Sequence, residues 1–330
     1  MKAFSIGNIA AEPGSVARGR LGSTYLSNGT EVEIPLMVVN GALDGPVLWL
    51  SAAMHGQELS GMEVIWDLVH KHLHPSRLRG TVVAAPLLNP LSYAGGTYYT
   101  PQDGYNINRV FPGDPKGLTT QRLASLVLEE GIRKVDYLID FHANPDPAMC
   151  FAIIKESQDR GVWDEARAMA KAFGITTVEM VLKLEAHRTG TMIDTANSLG
   201  KPALVIELTP WRRVSPVSVR VGVRGALNVM KTLGMIDGEV EPQTDIKVVD
   251  GKLTRTEVTA SRGGPLRIFK SAGDPISKGE VIAQVVNGYG DPVEDIVSTV
   301  DGWLLAYPMM DNQSVGTGEV AAFLLFRKPE

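Results

Sequence analysis

Four short runs rich in branched apolar residues, 47–53, 81–89, 137–143 and 203–209, constrain this chain most, because each ends on or beside a polar side chain capable of chemistry. Continuous apolar runs of this length read as strands buried on both faces, and such strands need helices packed against them. The intervening segments have that spacing: Met62, Ile65, Trp66, Val69 and Leu73 follow the first run, and Leu123, Leu126, Val127 and Glu130 precede the third. The expected fold is α/β, a mixed sheet with flanking helices. His55 and Glu58 follow the first run, Asn89 closes the second, His142 ends the third and Glu207 ends the fourth. Ligands of open α/β sheets bind outside the strand C-termini, so residues distant in sequence can meet there.

A chain of 330 residues exceeds one ordinary domain. Helical periodicity fades near Glu239, where Gly and Pro begin to recur among short apolar alternations. We expect two units, an α/β catalytic domain over 1–238 and a β-rich domain over 239–330 that shapes access to the site. The 44% apolar and 21% charged fractions suit a folded globular protein. A net charge of -5, with 32 Lys and Arg scattered along the chain, argues against a nucleic-acid partner. No segment has signal-peptide or membrane-span character, so no membrane is expected and the cytoplasm is the expected location. The single cysteine, Cys150, lies among Met149, Phe151 and Ala152 and reads as a small buried apolar residue. A homo-oligomer is compatible with the sequence, which sets no subunit count.

His55 and Glu58, in Ala-Met-His-Gly-Gln-Glu, span a turn and the start of a helix, where a nitrogen and an oxygen can aim at one point, as zinc ligation requires. A His-x-x-Glu pair is common by itself. His142, in Leu-Ile-Asp-Phe-His, supplies the third ligand that a catalytic zinc with one open position needs. Asp140 shares a strand face with His142, where it either orients the imidazole or is an ordinary hydrogen-bonded carboxylate. Asn108 and Arg109 place an amide beside a guanidinium, a set of fixed donors suited to a substrate carboxylate; a turn with a solvated arginine is the structural alternative. Glu207 is one carboxylate in an otherwise apolar strand, where burial raises its proton affinity toward that of a general base. His70, His72 and His74 crowd a predicted helix C-terminus and read as surface residues.

His-Gly-Gln-Glu (55–58), Asn-Arg followed by Phe-Pro-Gly (108–113), Asp-Phe-His (140–142) and Glu207 occur in an order that resembles the succinylglutamate desuccinylase/aspartoacylase family, relatives of the zinc carboxypeptidases. The resemblance covers roughly 46–210. It implies a zinc-carboxypeptidase-like sheet and one Zn2+ per subunit held by His55, Glu58 and His142. It further implies Glu207 as base and proton shuttle, and Asn108 and Arg109 on the carboxylate of a small N-acyl substrate. The stretches 272–283 and 300–304 resemble half-motifs of the biotinyl/lipoyl-like hammerhead. The comparable hairpin, 307–312, lacks the modifiable lysine of a carrier domain, which points to a structural or substrate-shaping role.

Two positions depart from the family pattern. Tyr98 and Tyr99 stand where a carbonyl-polarising arginine is usual, which makes Tyr98 the candidate in its place. Asn197 stands about where aspartoacylase carries a selectivity arginine before the base, an interval that drifts with loop length. His187 and Arg188 precede it and could replace that contact. The expected activity is zinc-dependent deacylation of an N-acyl amino acid or related carboxylate-bearing metabolite. The alternatives are a metallocarboxypeptidase acting on short peptides and a catalytically silent zinc-binding or small-molecule-binding protein.

Overall fold

The computed structural model describes residues 2–180, 190–309 and 312–328. The chain opens with a two-stranded ribbon, β1 (Phe4–Ile6) and β2 (Ile9–Ala11). The catalytic half then contributes β3 (Ser15–Tyr25), β4 (Glu31–Asn40), β5 (Leu43–Ala52), β6 (Arg79–Ala85), β7 (Tyr137–Ala143), β8 (Phe151–Lys155), β9 (Thr176–Met180) and β10 (Ala203–Leu208). Its helices are α1 (Ser60–Asp67), α2 (Pro90–Gly95), α3 (Thr119–Leu126), α4 (Arg160–Phe173), α5 (Met192–Ser198) and α6 (Pro216–Thr232). After α6 only strands follow among the described residues: β11 (Leu253–Thr259), β12 (Gly264–Ile268), β13 (Pro275–Ile276), β14 (Val281–Val286), β15 (Pro292–Val297), β16 (Gly302–Ala306), β17 (Ser314–Val315) and β18 (Val320–Arg327).

Twelve strands form one mixed sheet in the order β13-β16-β18-β11-β9-β8-β10-β7-β5-β6-β4-β3. Its centre is parallel where β6, β5, β7 and β10 run together, and antiparallel where β8 meets β10. The alternation along β5 assigns its faces: Trp49 enters one core with Leu138 and Leu123, and Leu48 and Leu50 enter the other with Ile139 and Ile65. Helices therefore cover both faces, as the unbroken apolar runs require. The sheet crosses the expected boundary at 238/239, since β11 joins β9 through Leu253 opposite Val178. The small antiparallel sheet β15-β14-β12-β17 has its own core around Leu266, Ile282 and Leu324. No helix among the described residues is long and apolar enough to cross a membrane.

Three local expectations need correction. The second run stops as a strand at Ala85, because Pro86 has no N–H for the ladder. Asn89 instead caps α2, its side chain accepting from Ser92 N. Trp66, spaced as a core residue, is 37% exposed on the outer side of α1. His70, His72 and His74 are exposed and Cys150 is buried, as expected.

Candidate functional site

The turn after β5 carries the first two residues of the site. Ala53 leaves the strand at φ 50°, a left-handed conformation uncommon outside glycine, and turns the chain toward His55. Gly56 follows, with its N–H on Ser92 Oγ at 2.9 Å. A Cβ there would stand 2.0 Å from Ser92 O, so only glycine lets this turn press against α2. Glu58, two residues before α1, then faces back to His55. His142 arrives from β7, and the parallel register sets Glu207 of β10 directly beside it.

His55, Glu58 and His142 are each 2–3% exposed, and one ligand atom from each lies within 4.8 Å of the others. Glu58 Oε1 is 2.9 Å from His55 Nδ1, and Glu58 Oε2 is 2.9 Å from His142 Nδ1. Oε1 is hydrogen-bonded to His55, while Oε2 has no hydrogen-bond partner although His142 Nδ1 stands beside it, and the three side chains converge on a common point. The outer nitrogens are held separately: His142 Nε2 meets Asp140 Oδ2 at 2.7 Å, and His55 Nε2 meets Asn106 Oδ1 at 3.1 Å. With each Nε2–H donating outward, both Nδ1 atoms face inward, where each would serve as a metal ligand once its proton is displaced. Two imidazoles and a carboxylate fit a divalent ion such as zinc.

Charge reinforces this geometry. Burial alone would raise the Glu58 carboxyl, but the two imidazoles outweigh it and hold the group at about 2, so it is ionised. Burial pulls His142 down, yet Asp140 and Glu58 together raise its proton affinity well above the ordinary histidine range. Glu207 behaves oppositely: burial, opposed by His142 and aided by Glu58, lifts it to about 7. Its Oε2 accepts a hydrogen bond from Asn144 Nδ2 at 2.8 Å.

These residues open onto a cavity of about 480 Å³, the size of a small-molecule site. Tyr98, Asn108, Arg109 and Glu207 line it beside the cluster. Tyr98 stacks on His55 with ring centroids 4.0 Å apart and packs on Trp211. Burial and the Glu58 charge push its hydroxyl up to about 12, leaving it a neutral donor. Asn108 uses its side-chain oxygen on Met192 N at 2.9 Å, and its amide NH2 remains as the donor. Arg109 is exposed and donates to Asn108 O at 2.6 Å.

Asn197 does not reach the cavity; it is buried behind β8, donating to Lys155 O at 3.3 Å. His187 and Arg188 lie outside the described residues. Sequence reasoning missed Asn106, Asn144, Lys155, Trp211 and Arg255. Asn106 lies two positions before Asn108 in a stretch already singled out, so its proximity was the available signal. For Arg255, on β11, the sequence carries none.

The large mixed sheet resembles the metallocarboxypeptidase-like fold. The fold is similar to that of a metallo-carboxypeptidase from Burkholderia cenocepacia, with a TM-score of 0.51 and 19% identity over 66% of this chain and 64% of that one. Residues 44–233, more than half of the chain, match the succinylglutamate desuccinylase/aspartoacylase catalytic domain, and the chain belongs to that family. A crystal structure of succinylglutamate desuccinylase/aspartoacylase from Rhodobacter sphaeroides aligns over 100% of both chains, with a TM-score of 0.87 and 25% identity. The N-alpha-acetyl-L-2,4-diaminobutyric acid deacetylase of Halomonas elongata is 30% identical over 261 residues, which are 77% of this chain and 74% of that protein.

Proposed function

We propose that this protein is a zinc-dependent deacylase that hydrolyses the amide of a small N-acyl amino acid or a related carboxylate-bearing metabolite. The observation that carries the reading is the convergence of His55, Glu58 and His142 beside a carboxylate, Glu207, poised near neutral proton affinity. Deacylase relatives support the reaction class.

His55, Glu58 and His142 would hold the zinc ion. When bound, it supplies a Lewis acid that acidifies water and polarises the amide carbonyl. Glu207 accepts the proton of the attacking water as its oxygen bonds to the carbonyl carbon, then delivers that proton to the nitrogen as the C–N bond breaks. Tyr98 keeps its proton and donates a hydrogen bond to the carbonyl oxygen, serving where the family arginine is absent. Arg109 and the Asn108 amide hold the substrate carboxylate. Trp211, Phe323 and Pro308 wall the cavity against bulk water.

The division into a catalytic unit (1–238) and an access-shaping β unit (239–330) belongs to this proposal, as does the hammerhead likeness of the latter. Arg255, Pro308 and Phe323 come from the C-terminal residues and narrow the cavity, which favours a small metabolite over a peptide. A silent binding protein would have no use for Glu207. The test is a panel of N-acyl amino acids assayed with and without a chelator. Hydrolysis should fall to background on chelation and return with zinc; turnover unaffected by a chelator that strips the metal contradicts the reading.

A further inference from the structure

Trp211 stands four residues beyond Glu207, on the segment that leaves β10, and the backbone is tied down on both sides of it. Before it, Leu208 O accepts from Asn144 N at 2.8 Å; after it, Arg212 N donates to Gln57 O at 2.7 Å. The segment therefore spans from the strand of Glu207 to the turn that carries His55 and Glu58. Arg212 takes φ 61°, a left-handed conformation uncommon for a long side chain, where the segment meets that turn, and Trp211 lines the cavity. The indole is fixed in its turn: Nε1–H donates to Ala143 O at 2.6 Å, and Ala143 follows the ligand His142 on β7. Its ring lies 5.7 Å from that of Tyr98 at 28°, while Tyr98 lies 4.0 Å from His55 at 21°. Tyr99 meets Tyr98 edge-on at 5.3 Å. A phenol oxygen lies in the plane of its ring, so the neighbours that set the ring plane also set where the Tyr98 hydroxyl points. Of the two near-parallel neighbours His55 is committed to the metal, which leaves Trp211.

We infer that Trp211 is a positioning residue for Tyr98: its flat ring, locked on Ala143 O, holds the phenol so that the hydroxyl meets the amide carbonyl as charge develops on its oxygen. This inference rests on the deacylase reading and on Tyr98 as the carbonyl's donor, and it gives Trp211 a part beyond walling the cavity. A wall needs only apolar bulk, which leucine supplies, whereas aiming a phenol needs a flat face. The same indole ties the donor to the metal site, because its own anchor is the backbone next to His142.

The test uses the full zinc-loaded chain and the member of the N-acyl amino acid panel with the highest kcat/KM. Trp211→Leu should lower kcat about 10–100-fold, because a misdirected donor costs transition-state stabilisation, while KM and zinc content stay within about threefold of wild type. Trp211→Phe, which keeps a flat ring and gives up only the N–H, should recover most of that loss. Tyr98→Phe should lower kcat by a factor of the same order, and in that background Trp211→Leu should cost no more than about twofold, since the group it aims is gone. A crystal structure of Trp211→Leu should show the Tyr98 ring turned from its place against His55. Losses that multiply in full in the double variant, leucine and phenylalanine behaving alike at position 211, or an unmoved Tyr98 ring overturns the positioning role while the deacylase reading survives. Tyr98→Phe as fast as wild type removes the donor, and Trp211's part with it, and again leaves the deacylase standing. Hydrolysis of no member of the panel overturns the deacylase reading and the inference together.

Discussion

Glu207→Gln is expected to lower kcat by about 10²–10⁴ while leaving zinc content at the wild-type level, because the amide keeps the shape and loses the proton acceptor. The mutant should also be more stable without metal at alkaline pH. The Glu207 carboxyl rises from an ordinary 4.5 to about 7 on folding, because burial penalises its charge. A carboxyl raised in the fold costs stability progressively as pH climbs from the unfolded value through the folded one, and the full cost persists above it. At pH 8 that cost reaches up to ~3 kcal/mol, and glutamine removes it. Thermal unfolding of the two apo proteins at pH 5 and pH 8 measures this: the mutant's advantage should appear at pH 8 and shrink at pH 5. In the wild type, activity should fall as pH drops and Glu207 takes up its proton. A bound divalent cation lowers that proton affinity, so the acid limb should lie below 7. Near-normal kcat in Glu207→Gln would remove it from the role of base.

His142→Ala is expected to have the larger effect, a loss of more than about 10⁴-fold in kcat/KM with no detectable zinc after dialysis. Removing this imidazole takes one of two nitrogen ligands, leaves buried Asp140 Oδ2 without its partner and strips Glu58 of one of its two flanking imidazoles. Added zinc should not restore activity, which separates the loss of a ligand from partial occupancy. Wild-type metal content in this variant would show that the ion is held elsewhere.

Much of this architecture was legible because buried strands announce themselves. Residues 137–143 form β7 as read, and the apolar runs lead to the polar ends that meet in the cavity. The parallel register that sets Glu207 beside His142 follows from both residues standing at strand C-termini. Strand lengths were harder, since the stop at Ala85 depends on Pro86, and the extension of β5 back to Leu43 depends on pairing with Arg79. Asn106 escaped notice because its carboxamide matters only once tertiary folding sets it against His55, a contact 51 residues apart in sequence. Arg255 and Lys155 escaped because an isolated cation in a strand has no local signature; only the twelve-strand sheet brings β11 and β8 to the same cavity. Asn197 stands at the interval of the selectivity arginine, and its side chain turns to Lys155 O of β8 rather than to the cavity.

The claim beneath all of this is that His55, Glu58 and His142 share one divalent ion. Anomalous diffraction from zinc-loaded crystals, recorded above and below the zinc edge, tests it most directly. The expected result is one strong difference peak per chain within bonding distance of His55 Nδ1, His142 Nδ1 and a Glu58 carboxylate oxygen. A fully loaded protein whose peak lies instead at the exposed His70, His72 and His74, or anywhere away from Glu58, would contradict it.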